Sequence, residues 1–502
     1  MHQVNFFTCY YFLFVKNGNL LKINYIYALS FDTFLQGKNT QDERKIKYLI
    51  KNKINCKTTR IQVLTALVLN LLKDIFERTK RTIMIPRVKG TQDFIDCTLF
   101  NFIIDAIKKQ CSTYHFTEIQ TPILESVDLF CRSLGLYTDV VSKEMFIIES
   151  RQEGGEDRIC LRPEGTAPTV RAFNEHHIQT IPWKVFSYGP MFRYERPQKG
   201  RFRQFHQVTM EIIGSGVVGE DVQFITMLNN FFSKKLMVHN YELIINFLGC
   251  ADDRNAYLGI LKKFMDQDDI THTICAQCLE RKERNIMRIF DCKNSQCQEL
   301  YRNAPYIADN LCQNCSTEWN TLQQQLTATS VSYVYRPTLV RGLDYYNKTV
   351  FEFVSKNLGA QDTFCGGGRY NQLVEQLGGN KDMPAIGAAF GIERLILLLE
   401  PLREQLAIAH PPTLHMIIPM TQAQHTTALL LADTLHAHDI CTDILFEGSM
   451  KSMMRKASKA GAAYVLIIGE TEQQTGTVMI KNMTTGVEQS VAQIDIVDIL
   501  KK

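Results

Sequence analysis

Residues 188–207, YGPMFRYERPQKGRFRQFHQ, set five basic and five aromatic side chains around a single acid, Glu195. Read as a hairpin, YGPMFRYE leads into the loop RPQKG, and RFRQFHQVTMEII leads out. Side chains two apart share one face of a strand. That face would carry Arg201, Arg203, Phe205, Gln207, Thr209 and Glu211, with Val208, Met210 and Ile212 opposite. Buried polar groups without partners cost free energy, so a purely structural strand would not present such a face. Arginine forks suit the oxygens of a polyphosphate, and an aromatic ring offers a purine a stacking surface. The amide and carboxylate further along suit a second substrate that is cationic or hydrogen-bonding. The plain alternative is a solvated basic hairpin.

Such a strand needs a sheet behind it. From 84 to about 400 the pattern mixes helices with short alternating strands, as in an α+β domain. CTLFNFIIDAIKKQCSTYHF reads as a helix and TEIQTPILESVDLF as a strand broken at Pro122. KVFSYGPMFRYE, FRQFHQVTMEIIG and KTVFEFVS alternate, which predicts an antiparallel sheet with one polar face. PAIGAAFGIERLILLLE has helical period. A polar, cysteine-bearing stretch over about 250–330 reads as an inserted helical subdomain. PLREQLAIAHPP (401–412) is the best linker, and the alternating strands and helices after it predict a small α/β domain with a largely parallel sheet.

The totals set limits. A chain of 502 residues exceeds one core. A net charge of +4 confines any nucleic-acid contact to local patches. Fifteen cysteines fit a reducing cytosol better than a secreted disulfide scaffold. No run reaches the roughly 18 apolar residues that a bilayer span needs, and FFTCYYFLFV (6–15) lacks the flanks of a signal peptide. Residues 1–83 are rich in Asn, Lys, Ile, Tyr and Phe, with amphipathic period only in a helix expected over 61–81. They read as an organelle or membrane address, or as a mis-assigned start ahead of Met84; the second is preferred. GSGVVG (214–219) matches G-x-G-x-x-G, but the polar strand before it is wrong for a dinucleotide site. KASKA (456–460) reads as a basic helix face.

With these residues in view, the chain from about 84 to its C-terminus resembles the histidyl-tRNA synthetases, a class II aminoacyl-tRNA synthetase family. The opening stretch is similar to class II motif 2, TEIQTPILESVDLF to motif 1, and AAFGIERL, with Arg394, to motif 3. LRPEGT (161–166), VRGLDYYNKTVFEF (340–353), GGGRYNQLVEQLGG (366–379) and KGTQDF (89–94) resemble the motifs particular to histidine enzymes. The resemblance implies an antiparallel-sheet catalytic domain over 84–405 with the helical insertion. A small α/β anticodon-binding domain would follow over 411–502.

It also implies roles. Arg193 would grip the ATP α-phosphate, and Arg201 with Arg394 the γ-phosphate end. Phe205 would stack on adenine, with Glu195 near its exocyclic amine. Glu164, Thr166 and Gln207 would hold the α-amino group of histidine. Glu211 and Tyr346 would meet its imidazole, with Tyr345 and Tyr370 walling the pocket. Arg341 would approach the α-phosphate and the substrate carboxylate, a place that a metal ion takes in many class II enzymes. Mg²⁺ on the phosphates is expected.

Arg196, Gln198 and Lys199, with Arg203, would face the acceptor end of tRNA(His). The basic helix with Lys451, Arg455, Lys456 and Lys459 suits an RNA backbone, or is a solvated face. A cytoplasmic homodimer without membrane contact would follow, ligating L-histidine to tRNA(His) through histidyl-adenylate. The rival reading is a catalytically silent regulatory or sensing subunit. Cys275, Cys278, Cys312 and Cys315 form two C-x-x-C pairs that could make a Cys₄ zinc site. The 33 residues between the pairs exceed the usual zinc-ribbon gap, so free thiols are preferred.

Overall fold

A computed structural model describes residues 14–16, 19–21, 85–135, 138–149, 158–343, 345–359, 362–408 and 412–501. The chain divides into two units, Met1–Pro86 and Arg87–Lys502. In the first, β1 (Phe14–Lys16) pairs antiparallel with β2 (Asn19–Leu21). The helix expected over 61–81 and the start expected at Met84 lie outside the described residues.

Among the described residues of the second unit, eleven strands precede the linker. They are β3 (Thr117–Glu118), β4 (Leu124–Ser126), β5 (Phe146–Ile148), β6 (Ile159–Leu161), β7 (Trp183–Phe192) and β8 (Gln204–Ile213), then β9 (Glu242–Phe247), β10 (Val334–Tyr335), β11 (Asn347–Val354), β12 (Thr363–Arg369) and β13 (Ala385–Gly391). Eight build one sheet in the order β10-β9-β11-β12-β13-β8-β7-β3. Its interior pairs are antiparallel, as the alternation predicts, while the edge pairs β10–β9 and β3–β7 are parallel. One face packs on the helices Thr98–Thr113 and Val218–Asn230 through a core that includes Ile103, Phe224, Phe231, Phe351 and Phe390. The architecture is α+β.

Three local expectations change. The β7–β8 ladder ends at Phe192↔Gln204, so the loop runs over 193–203 and Arg201 and Arg203 leave the strand. The reason is a competing partner: Arg203 N–H donates to the Gly90 carbonyl at 2.7 Å, docking KGTQDF where the ladder would continue. TEIQTPILESVDLF supplies β3 and β4 but ends in the helix Val127–Leu134, whose first turn is capped by the Ser126 hydroxyl. PAIGAAFGIERLILLLE is half strand: β13 spans Ala385–Gly391 and the helix begins only at Ile392. A run of Gly and Ala carries no period to distinguish the two.

The stretch after 250 is helical, as expected, with helices Ala251–Met265, Ala276–Arg284, Ser295–Tyr301 and Gln313–Ala328. The four cysteines weighed as a zinc site, the less favoured reading, do not gather. Cys275 and Cys278 lie with Cys292 and Cys297, whereas Cys312 and Cys315 lie with Cys250 and Asp253. The second pair is drawn away because the Cys312 N–H donates to the Asp253 carboxylate at 2.8 Å.

Beyond the linker, β14 (His415–Pro419), β15 (Thr442–Ile444), β16 (Tyr464–Ile468), β17 (Thr477–Asn482) and β18 (Glu488–Ala492) form a sheet ordered β15-β14-β16-β17-β18. Only β15, β14 and β16 run parallel; β17 and β18 return antiparallel. The expected largely parallel sheet is therefore mixed. Leu431 and Leu435 of the helix His425–His436 pack on one face, with Met453 and Ala457 of Met450–Lys459 on the other.

Candidate active site

Strand β8 runs from solvent into the core, from exposed Gln204 to Glu211, which is 1% accessible. Its polar face lines a cavity of about 410 Å³ with Gln207 and Phe205. Glu211 lies buried against the lining residue Thr166, beside two hydroxyls. Thr166 Oγ1 donates to Glu211 Oε1 at 2.7 Å, and Tyr370 Oη donates to Oε2. Burial raises the Glu211 carboxyl well above the usual range, against the pull of those hydroxyls. Gly387, on the neighbouring strand β13, makes room: a methyl group there would overlap the Glu211 carboxylate.

Glu164 sits at the entrance to the helix Thr166–Glu175. Its carboxylate accepts from Thr166 N–H at 2.7 Å and Ala167 N–H at 2.8 Å, satisfying donors at the helix start. Burial raises this carboxyl too. Gln207 Oε1 and Thr209 Oγ1 are buried without a protein partner. The Tyr345 and Tyr346 rings line the cavity, with centroids 4.5 Å apart, and Tyr370 packs on Tyr345 at 5.7 Å.

The cavity is also lined by arginines. Arg193 lies over the Phe205 ring at 5.4 Å and is steadied by the Pro163 carbonyl at 2.9 Å. Arg341 pairs with Glu352 and crosses the backbone of Gly366, where a methyl group would strike its guanidinium. Arg394, at the start of the helix Ile392–Leu399, donates to the Gly200 carbonyl at 3.0 Å and to that of Thr363. Arg201 pairs with Glu195 and approaches Glu144 at 3.6 Å. These arginines line the same cavity as Glu164, Thr166, Gln207, Tyr345 and Tyr346.

The loop residues divide. Arg196, Gln198 and Lys199 are exposed, whereas Arg203 stacks on Tyr194 at 3.8 Å and donates to the Glu195 carbonyl at 3.2 Å. Arg203 thus braces the loop that the other three present.

One motif of the sequence finds a structural role. GSGVVG supplies the carbonyls of Ser215 and Val217 to Arg369, whose guanidinium also pairs with buried Asp221. That network pins β12 to the helix Val218–Asn230. Three site carboxylates escaped the sequence reading. Glu352 balances Arg341, Glu144 faces Arg201, and Glu393 accepts from His206 N–H at 2.8 Å and pairs with its Nδ1 at 2.9 Å. Glu352 has a visible signal, an acid inside the apolar alternation VFEFV. Glu144 has none, because only the folded chain brings it near 201.

Comparison with known proteins bears on what such a cavity serves. A family model described as histidyl-tRNA synthetase matches residues 103–395, and one described as anticodon binding domain matches 415–502. The histidine–tRNA ligase of Halothermothrix orenii is 40% identical over 419 residues, covering 82% of this chain and 98% of that one. That of Clostridioides difficile is 38% identical over 420 residues, with 82% and 98% covered. The crystal structure of apo S. aureus histidyl-tRNA synthetase matches with a TM-score of 0.69 at 31% identity, covering 84% of this chain and 100% of that one. The chain therefore belongs to the histidyl-tRNA synthetase family and is an aminoacyl-tRNA synthetase.

Proposed function

We propose that this enzyme joins L-histidine to tRNA(His) in two steps through histidyl-adenylate, with MgATP as the nucleotide substrate. The observation that carries the reading is one cavity lined by the buried carboxylate Glu164 and by Arg193, Arg341 and Arg394, with Glu211 buried next to it on the lining residue Thr166. The carboxylates suit an amino acid with an ammonium group and a ring that hydrogen-bonds. The arginines suit a triphosphate.

In the first step the histidine carboxylate attacks the α-phosphorus and pyrophosphate leaves. In the second, a hydroxyl of the terminal tRNA ribose attacks the adenylate carbonyl and AMP leaves. No protein nucleophile is needed, so the work is alignment and charge stabilisation. Arg193 and Arg341 hold the α-phosphate, where negative charge grows on non-bridging oxygens. Arg201 and Arg394 take the γ-phosphate end, Phe205 stacks on adenine, and Glu195 meets its amine. Glu164, Thr166 and Gln207 hold the substrate ammonium; the unpartnered Gln207 oxygen supports this. Glu211 and Tyr346 read the imidazole.

The cavity carboxylates Glu195, Glu352 and Glu393 are hard oxygen donors of the kind that Mg²⁺ takes. Each is already engaged by Arg201, Arg341 or His206. Magnesium bound to ATP would partly neutralise the phosphate charge, and Glu195, Glu352 and Glu393 are the cavity residues that would hold it.

The chain acts as a cytosolic homodimer. Leu124, Ile148 and Ile159 expose 40–53% of their surface on one face of the small sheet β4-β6-β5. An exposed apolar sheet face of this kind suits a second copy. Sedimentation velocity should show a dimer that Leu124→Asp with Ile148→Asp dissociates; a wild-type monomer at micromolar concentration would refute it.

The decisive assay is histidine-dependent exchange of labelled pyrophosphate into ATP, followed by charging of tRNA(His). Folded protein that binds histidine yet shows no exchange would overturn the reading in favour of a sensing subunit. The complete set of arginines on one cavity argues against that rival.

A further inference from the structure

The cysteines of the helical stretch belong to no part of the reaction, yet four of them converge. We propose that Cys275, Cys278, Cys292 and Cys297 bind one zinc ion as a closed, structural tetrathiolate site.

The geometry is that of a single ion. The four sulfurs lie within 4.8 Å of one another, and Cys275 Sγ stands 3.8 Å from Cys292 Sγ. A tetrahedral ion with Zn–S bonds of about 2.3 Å sets its ligand sulfurs about 3.8 Å apart. A disulfide would need about 2.05 Å, and all four cysteines are free. The donors are sulfur only, which selects a soft or borderline metal over Mg²⁺ or Ca²⁺. Four thiolates fill the coordination of Zn²⁺ and leave no open position for catalysis.

The surroundings are built to hold thiolates. Cys278, Cys292 and Cys297 are at most 3% accessible. Cys275 N–H donates to Cys297 Sγ at 3.3 Å, and Asn294 N–H donates to Cys292 Sγ at 3.5 Å. The Asn294 side chain in turn accepts from the N–H groups of Gln296 and Cys297, tightening the turn between the last two ligands. Backbone donors aimed at ligand sulfurs are the outer support that metal sites use.

The site would clip the helix Ala276–Arg284 to the turn 292–297 across the segment Ile286–Asp291. That segment carries Arg288, whose guanidinium meets Asp139 at 3.1 Å. Asp139 opens the helical turn Val140–Glu144, and Glu144 faces Arg201 of the nucleotide loop. The metal thus stiffens a module braced against the cavity wall without touching substrate.

The test uses the full chain purified from zinc-supplemented cells without chelator. Metal analysis should find zinc, and Cys292→Ser with Cys297→Ser should lower it by one equivalent per chain. A wild-type measurement guards against misfolding of that variant. Alkylation mapped by mass spectrometry, with and without prior metal removal by an organomercurial and dithiothreitol, should show these four cysteines protected only in the metal-loaded protein. Exchange with Co²⁺ should give the visible bands of a tetrahedral tetrathiolate. Zinc-free wild-type protein, or equal alkylation of the four in both states, would overturn the assignment. So would protection confined to Cys250, Cys312 and Cys315.

Discussion

Glu211 holds its carboxylate in nearly complete burial against Thr166 and Tyr370, and burial raises its affinity for a proton. Glu164 is shifted in the same direction for the same reason. A carboxyl whose folded pKa lies above its unfolded value of about 4.3 keeps its proton longer in the native state. The folded protein then binds more protons than the unfolded one, so stability falls as pH rises from about 4.3 through the raised value. Glu211→Gln should flatten the decline of the urea midpoint above pH 5; an unchanged slope would remove Glu211 from that role. The same variant should raise the histidine KM by roughly 10- to 150-fold, the equivalent of about 1.5–3 kcal/mol for a hydrogen bond to a charged group. The ATP KM should hold. Arg341 gives the complementary case. Arg341→Gln should slow pyrophosphate exchange by about 10²–10³ while histidine still binds. It also strands Glu352, so Arg341→Gln with Glu352→Gln should recover stability but not exchange. Recovery of both would make Arg341 merely structural.

Strands β12 and β13 carry glycine where the side chains of Arg341 and Glu211 cross their backbones. Gly366 lies under the Arg341 guanidinium and Gly387 under the Glu211 carboxylate, on adjacent paired strands. Gly387→Ala should displace Glu211 and abolish histidine binding by calorimetry. Gly366→Ala should displace Arg341 and lower the exchange rate with histidine binding kept. Loss of histidine binding in both would mean that the sheet, not the two crossings, had failed. These strands also show what was legible in the sequence. Alternation in KTVFEFVS and FRQFHQVTMEIIG marks two strands correctly, because one face is apolar and the other is not. The Gly–Ala run of β13 hides its nature, since its side chains were removed to admit those of its neighbours. The site motifs were legible wherever a whole cluster lies in one segment, as from Arg193 to Glu211. Pairings across long separations, such as Glu144 with Arg201 or Cys275 with Cys292 and Cys297, depend on topology that no local period encodes. The loop at 193–203 failed for the same reason, because its partner Gly90 lies over a hundred residues away.

Across the whole molecule, the proposed function would separate adenylate chemistry inside the cavity from tRNA contact outside it. Arg196, Gln198 and Lys199 are exposed beside the cavity mouth, and Lys451, Arg455, Lys456 and Lys459 are exposed on the helix Met450–Lys459 beyond the linker. Neither set lines the cavity. Cationic side chains on phosphates displace counterions, and each lost contact reduces the slope of log affinity against log salt by about 0.7–0.9. Lys451→Glu with Arg455→Glu should weaken tRNA binding and shallow that slope, with pyrophosphate exchange unaltered. Gln198→Ala offers a different signature. An amide contacts a base edge rather than a phosphate, so its loss should reduce discrimination among tRNAs altered at the acceptor end and leave the slope as it was. A solvated basic helix would leave charging and slope unchanged on charge reversal. Filter binding across salt concentrations, paired with exchange on the same preparations, separates these outcomes. Unaltered exchange certifies the fold, so any loss of charging belongs to the RNA surface.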